Sequence, residues 1–231
     1  MSIIEIQRAL AAAGNDPGPI DGAWGRRSIA ACKAYQRANG LVPDGIPGPK
    51  TLAKLFSSAS VGTVGAATPI WFREARRLIG VRETPGTANN PVILGWAKKL
   101  GGWIASYFTA DSIPWCGLFV GHVVAQTLPS ETLPANALGA KNWATFGRKL
   151  TAPAIGAVMV FTRTGGGHVG FYAGEDSEAY HILGGNQSDA VTIARVAKSR
   201  CIAMRWPATA ANPVGGRVYR ALAGTLSVNE A

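Results

Sequence analysis

Two short segments hold the residue types needed for nucleophilic attack on an amide. Cys116 lies in Ile113-Pro114-Trp115-Cys116-Gly117-Leu118-Phe119-Val120, where Pro114 reads as a helix starter and Asp111 or Ser112 as its cap. A thiol in the first turn of a helix meets unpaired backbone N–H groups and the positive end of the helix dipole. Both favour thiolate over thiol, and the same N–H groups suit the oxyanion of an attacked carbonyl. A free cysteine is just as commonly a small buried hydrophobe. Cys32, on a helix, and Cys201, on a late strand, take that role. His168 opens a strand in Gly167-His168-Val169-Gly170-Phe171-Tyr172, with His168, Gly170 and Tyr172 on one face. Its imidazole can take the thiol proton and return it to a leaving amine. His122 is six residues beyond Cys116, about 240° around the helix, and points away.

A third group must orient the imidazole. Asn186, in Leu183-Gly184-Gly185-Asn186-Gln187-Ser188, offers a neutral carbonyl acceptor, and a Cys/His/Asn trio is chemically sufficient. His181 on the preceding strand is its rival, and Gly-Gly-Asn-Gln also reads as a plain strand-end turn. Other chemistries fit less well. Three scattered histidines do not form a zinc ligand set. Glu83 and Asp111 could be offered as a glycosidase pair, but Glu83 reads better as a structural or substrate-positioning residue. The run Gly165–Gly167 precedes a strand and not a helix, so it is no phosphate loop. Neither a metal nor an organic cofactor is expected.

These residues need elements to hold them. The 231-residue chain is 47% hydrophobic and carries seven Trp, seven Phe and five Tyr, enough apolar surface for a packed core. Its longest uncharged apolar run, Ala154–Phe161, is far short of the roughly 18 residues of a membrane span. Met1–Leu10 contains Glu5 and Arg8 and does not read as an export signal. Three cysteines, an odd number, suggest free thiols. The net charge of +10 is spread along the chain and suits an anionic polymer, whether nucleic acid, an acidic wall or lipopolysaccharide.

A repeat marks the N-terminal part. Asp21-Gly22-Ala23-Trp24-Gly25-Arg26-Arg27-Ser28-Ile29 matches Asp44-Gly45-Ile46-Pro47-Gly48-Pro49-Lys50-Thr51-Leu52. Each copy reads as a Gly-rich turn ending at a helix cap, Ser28 or Thr51. Helices are expected at 3–13, 28–39 and 51–57, a three-helix module over 1–57. Residues 58–69 are small and uncharged and read as a linker. Helices follow at 70–80, at 91–100 and after Pro114. Strands follow at 156–163, 168–174, 179–184, 190–196 and 200–206. Helices before strands imply an α+β domain with an antiparallel sheet over 70–207; the tail 208–231 receives no role.

Residues 1–57 resemble the peptidoglycan-binding domain of bacterial cell-wall hydrolases. The resemblance rests on Ile6-Gln7-x-x-Leu10, Gly14, Pro19-x-Asp21-Gly22-x-Trp24-Gly25, Tyr35-Gln36, Asn39-Gly40-Leu41, Asp44-Gly45 and Gly48-Pro49-x-Thr51. It implies a groove for wall polymer, with Asp21, Trp24 and Asp44 expected to touch the ligand. Residues 71–207 resemble the NlpC-like and CHAP-like branch of papain-type cysteine hydrolases found in phage endolysins. The matching segments are Gly80-Val81-x-Glu83-x-Pro85-Gly86, Asn89-Asn90-Pro91, the Cys116 and His168 segments, Leu183-Gly184-Gly185-Asn186-Gln187-Ser188 and Arg205-Trp206-Pro207, in the family's order. This implies a papain-like fold, Cys116 as nucleophile and His168 as base, with Trp115 and Gln187 at the substrate. Some relatives carry a Glu at the position of Gly184, and others a His that would select His181; Asn186 is the orienting residue expected here.

Together the two resemblances imply a monomeric peptidoglycan hydrolase of endolysin type. It would cleave an amide in the stem peptide or between stem and glycan, as an endopeptidase or an N-acetylmuramoyl-L-alanine amidase. Such a protein is made in the host cytoplasm and acts on the wall after release, touching anionic envelope polymers but not nucleic acid. Two alternatives share the sequence features: an antibacterial effector with the same chemistry, and a wall-binding or virion protein that keeps the fold without turnover.

Overall fold

The computed structural model describes residues 2–58, 68–219 and 225–227. They form two units, one of 2–58, Thr68 and Thr225 and one of 69–219 with 226–227. Most of the expected linker, residues 59–67, lies outside the described residues, as do 220–224 and 228–231 of the tail.

The first unit is three helices, α1 (Ile3–Ala12), α2 (Arg26–Ala38) and α3 (Pro49–Ser58). Helix α1 starts on a capping box in which Ser2 Oγ accepts from the Glu5 N–H and the Glu5 carboxylate accepts from the Ser2 N–H. Ile6, Leu10, Ala31, Cys32, Tyr35 and Leu55 make the core, with Trp24, Leu52 and Phe56 packed against it. Burial pushes the Cys32 thiol up to about 11, as fits an inert core residue.

The repeat is visible as a duplicated polar lock. In the first copy Gln7, fully buried, donates through Nε2 to Asp21 Oδ1, the Ala23 carbonyl and Ser28 Oγ, and its Oε1 accepts from the Gly22 N–H. In the second, Gln36 donates to Asp44 Oδ1, the Ile46 carbonyl and Thr51 Oγ1, and accepts from the Gly45 N–H. Gly22 and Gly45 sit at φ of 82° and 80°, the left-handed region that favours glycine. Ser28 and Thr51 are therefore not caps, as expected from sequence. Both lie inside helices that begin two residues earlier, at Arg26 and Pro49, and their hydroxyls serve the buried glutamines.

Among the described residues, the second unit has four α-helices, α4 (Ile70–Arg77), α5 (Pro91–Leu100), α6 (Gly102–Tyr107) and α7 (Cys116–Thr127). Six strands follow: β1 (Arg148–Lys149), β2 (Val158–Arg163), β3 (Gly166–Glu175), β4 (Ala179–Gly184), β5 (Thr192–Ala197) and β6 (Cys201–Trp206). The strands form one sheet in the order β1-β6-β2-β3-β4-β5, antiparallel at every pairing. The domain is thus α+β, a helical module preceding helices and an antiparallel sheet. Helix α7 is buried along nearly its whole length and packs on β3, where Phe119 meets Phe171 edge-on at 6.0 Å. Helices α4 and α5 pack against α7 in turn. Among the described residues no helix is long and apolar enough to cross a membrane.

Helix α6 and strand β1 escaped the sequence reading because α6 follows α5 across a single Gly101 and β1 is two residues long. The tail receives no role from the sequence, but its described residues 208–219 are part of this unit. The Glu131 carboxylate accepts from the Ala208 and Thr209 N–H groups. Buried Glu175 pairs with Arg217 and Lys198, and Val218 donates to the Tyr172 hydroxyl.

Candidate active site

Cys116 is the first residue of α7, one step after the Trp115 cap position. No side chain caps the helix, which corrects the expected role of Asp111 and Ser112. Asp111 instead accepts from the Thr84 and Asn90 N–H groups, and Asn90 caps α5 through the Val92 N–H. The Asn89-Asn90-Pro91 segment thereby ties the loop before α5 to the approach of α7. The α7 start is crowded as well: a Cβ on Gly117 would stand 2.3 Å from the Ala137 carbonyl oxygen, so only glycine admits the 137–138 backbone next to the cysteine.

The Cys116 thiol is buried, at 4% exposure. Burial raises its pKa above the ordinary value, while the N–H groups of Val169, Gly117 and Cys116 itself and the charge of Arg163 pull it back. Cys116 follows Trp115, whose N–H is held by Asn186, and Gln187, the next residue, meets His168, so this segment joins the start of α7 to the histidine.

His168 is fully buried on β3, across from Phe161 on β2. Its Nε2 meets Gln187 Oε1 at 3.0 Å. The carboxamide orientation is fixed by its other end, where Nε2 of Gln187 donates to the Thr192 carbonyl at 2.6 Å, with the Ile182 and Gly184 carbonyls also in reach. Since Oε1 can only accept, the imidazole carries its proton on Nε2, and Nδ1 is the basic nitrogen of the neutral ring. The proton position follows from this network.

The orienting contact therefore belongs to Gln187, not to Asn186 as expected. Asn186 Oδ1 accepts from the Trp115 N–H at 3.1 Å, and its Nδ2 donates to Glu83 Oε1 at 2.8 Å. The same Glu83 oxygen accepts from Trp115 Nε1 at 2.7 Å. Asn186 and Glu83 thus anchor the residue that precedes the cysteine. Burial raises the Glu83 carboxyl above the usual carboxylate value, a rise that the Trp115 hydrogen bond opposes. Glu83 reaches this place because residues 80–83 run beside 189–191, joined by Gly80–Val191, Val191–Val81 and Glu83–Asp189 backbone bonds.

The rival His181 stands across from Gly174, six residues and about 20 Å along β3 from His168 at strand spacing. Its Nε2 bonds Asp176 Oδ2 at 2.8 Å, beside Arg195 on the same carboxylate. His122 faces away from Cys116, stacked on Trp96 with centroids 5.2 Å apart, and burial lowers its pKa to about 4.

The residues expected to touch substrate divide between the two units. Trp115 and Gln187 are buried and engaged internally, because both belong to the packing that sets the site. Asp21 and Asp44 are exposed, yet each spends one carboxylate oxygen on its own turn, accepting from the Ala23 and Ile46 N–H groups. Trp24 is half-buried on the module core, with Nε1 donating to the Gly45 carbonyl.

Residues 2–55 match the family model of a peptidoglycan binding domain. An uncharacterised protein from Kitasatospora aureofaciens, described as lying in the bpoA1 3' region, is 43% identical over 67 residues, 29% of this chain and 51% of the relative. The chain thus spans about half the length of the curated relative it matches. No solved structure matches. The N-terminal unit is thus identified by this match as a peptidoglycan-binding domain.

Proposed function

We propose that this protein is a peptidoglycan hydrolase of endolysin type, in which the N-terminal domain holds the polymer and the second unit, a papain-like thiol hydrolase, cuts an amide of the stem peptide or its link to the glycan. The observation that carries the reading is Cys116 at the first residue of α7, the N–H of the residue before it held by Asn186, and a buried His168 whose Nε2 is held by the adjacent Gln187. In the neutral ring Nδ1 accepts the thiol proton. Sulfur attacks the amide carbon, and backbone N–H groups at the helix start receive the oxyanion. The C–N bond breaks as the imidazolium returns its proton to the amine, which leaves. Water, deprotonated by the same ring, then attacks the thioester, giving a carboxylate and the free thiol. Burial, which raises the resting thiol's pKa, keeps the cysteine protonated until substrate and base act together. The protein acts from the cytoplasm onto the wall once released.

The burial of Cys116 favours a second reading, a wall-binding protein that retains the fold without turnover. Cys116→Ala in the full chain separates the two. Wild type is expected to release soluble fragments from purified sacculi and the variant none, with equal sacculus binding. Equal release by both proteins, or none by either, refutes the cysteine mechanism.

A further inference from the structure

Strands β2 and β3 join in a tight hairpin whose last pair is Arg163 with Gly166. Cross-strand partners share a face, so Arg163 and Gly166 lie on the face of β3 that carries His168, two residues on. A Cβ at Gly166 would stand 3.6 Å from Arg163 Nε and 3.8 Å from Nη2. The guanidinium therefore lies over Gly166, where the lack of a side chain leaves it room. Arg163 is half-buried, and its Nε is buried with no hydrogen-bond partner among the described residues. It thus stands at the hairpin end of the strand that carries His168, on the same face as that histidine.

A partly desolvated guanidinium without a carboxylate partner is costly unless an anion completes it. The planar fork matches a carboxylate bidentately, where a lysine would offer only a point charge. Stem peptides carry free carboxylates within a residue or two of their amides, so the missing anion and the scissile bond can belong to one molecule. Resting on the hydrolase reading above, we propose that Arg163 is a specificity-determining residue that binds a free carboxylate of the stem peptide next to the cleaved amide.

The test compares two substrates on the full chain: soluble muropeptides with free carboxylates, and the same muropeptides after conversion of their carboxylates to carboxamides. Wild type is expected to cleave the free form with a kcat/KM at least ~10-fold higher, the scale of one charge-assisted hydrogen bond. Arg163→Gln should bring the two forms to within about twofold by losing activity only on the free one, and Arg163→Lys should restore part of the preference. Equal cleavage of both forms by wild type overturns the Arg163 assignment alone and does not depend on any variant folding. A preference that survives in Arg163→Gln also overturns it, as does a variant whose loss is the same on both forms and follows a shifted acid limb of the pH profile, since that marks thiol activation. Failure of wild type to cleave either form overturns the hydrolase reading together with this one.

Discussion

Replacing Gln187 by Leu probes the contact that orients His168. The carboxamide has two N–H groups, shared among the Thr192, Ile182 and Gly184 carbonyls, and accepts one bond from the imidazole. Leu removes all three interactions at about 1 kcal/mol each. The expected destabilisation is therefore about 3 kcal/mol against a typical total of 5–15 kcal/mol. The protein stays folded, with Tm lower by about 6–12 °C. Freed from Gln187, the ring no longer keeps its proton on Nε2, and turnover should fall about 10²-fold or more. Asn186→Ala should behave differently. It withdraws the acceptor from the Trp115 N–H and the donor from Glu83, lowering Tm while leaving the pH dependence of turnover intact. Fragment release from sacculi across pH, alongside thermal melts, reads both effects. Turnover in Gln187→Leu within about twofold of wild type refutes the orienting role. A large loss in Asn186→Ala at unchanged Tm returns that role to Asn186.

Other outcomes follow from single contacts. Gly117→Ala drives a Cβ into the Ala137 and Leu138 carbonyl oxygens, at 2.3 and 2.4 Å, and should cost about 1–3 kcal/mol or more of stability; a wild-type melting curve would contradict it. Asp176 is held well below the ordinary carboxylate value of 3.8, first by Arg195 and, against the cost of burial, also by His181. A carboxyl depressed in the fold stabilises above its unfolded pKa and loses that stabilisation as pH falls, so acid melts should steepen below about pH 4 in wild type and less so in Asp176→Asn. The module 1–57, expressed alone, should cosediment with purified peptidoglycan, and Gln36→Leu should abolish cosedimentation along with its fold. Retention of the isolated wild-type module in the supernatant at low salt would contradict its binding role.

The helix that begins at Cys116 and the strand that carries His168 could be located from sequence because each depends on local pattern: a proline before an apolar helix, and a glycine run before an alternating strand. The orienting residue could not. Asn186, Ser188 and Asp189, on either side of Gln187, adopt positive φ, at 57°, 51° and 59°, left-handed backbone that non-glycine residues rarely take. Alternation fails across such a turn, so Asn186 swings toward α7 while Gln187 turns under His168. A Cβ on Gly184 would lie 3.0 Å from both His168 Nε2 and Gln187 Oε1, so the Gln187 side chain fills the space that a larger residue at 184 would claim. Glu83 was legible only as a residue near the site, since its bond to Asn186 spans 103 positions and no periodicity links them. Ser28 and Thr51 misled for the opposite reason. A hydroxyl near a helix start looks like a cap, and only the buried glutamine across the core reveals its other use.

The two glutamine locks in the binding domain also differ in one respect. Gln7 reaches its turn aspartate across 14 positions, Gln36 across only 8, yet both close the same set of bonds. A turn fastened by a side chain from the core is indifferent to the length of chain that leads into it, because closure entropy grows only with the logarithm of that length. The connection between helix and turn is thus a free parameter of the fold. Insertions there can alter the outer surface of either half, and so what it recognises, while the geometry of the turn is inherited unchanged.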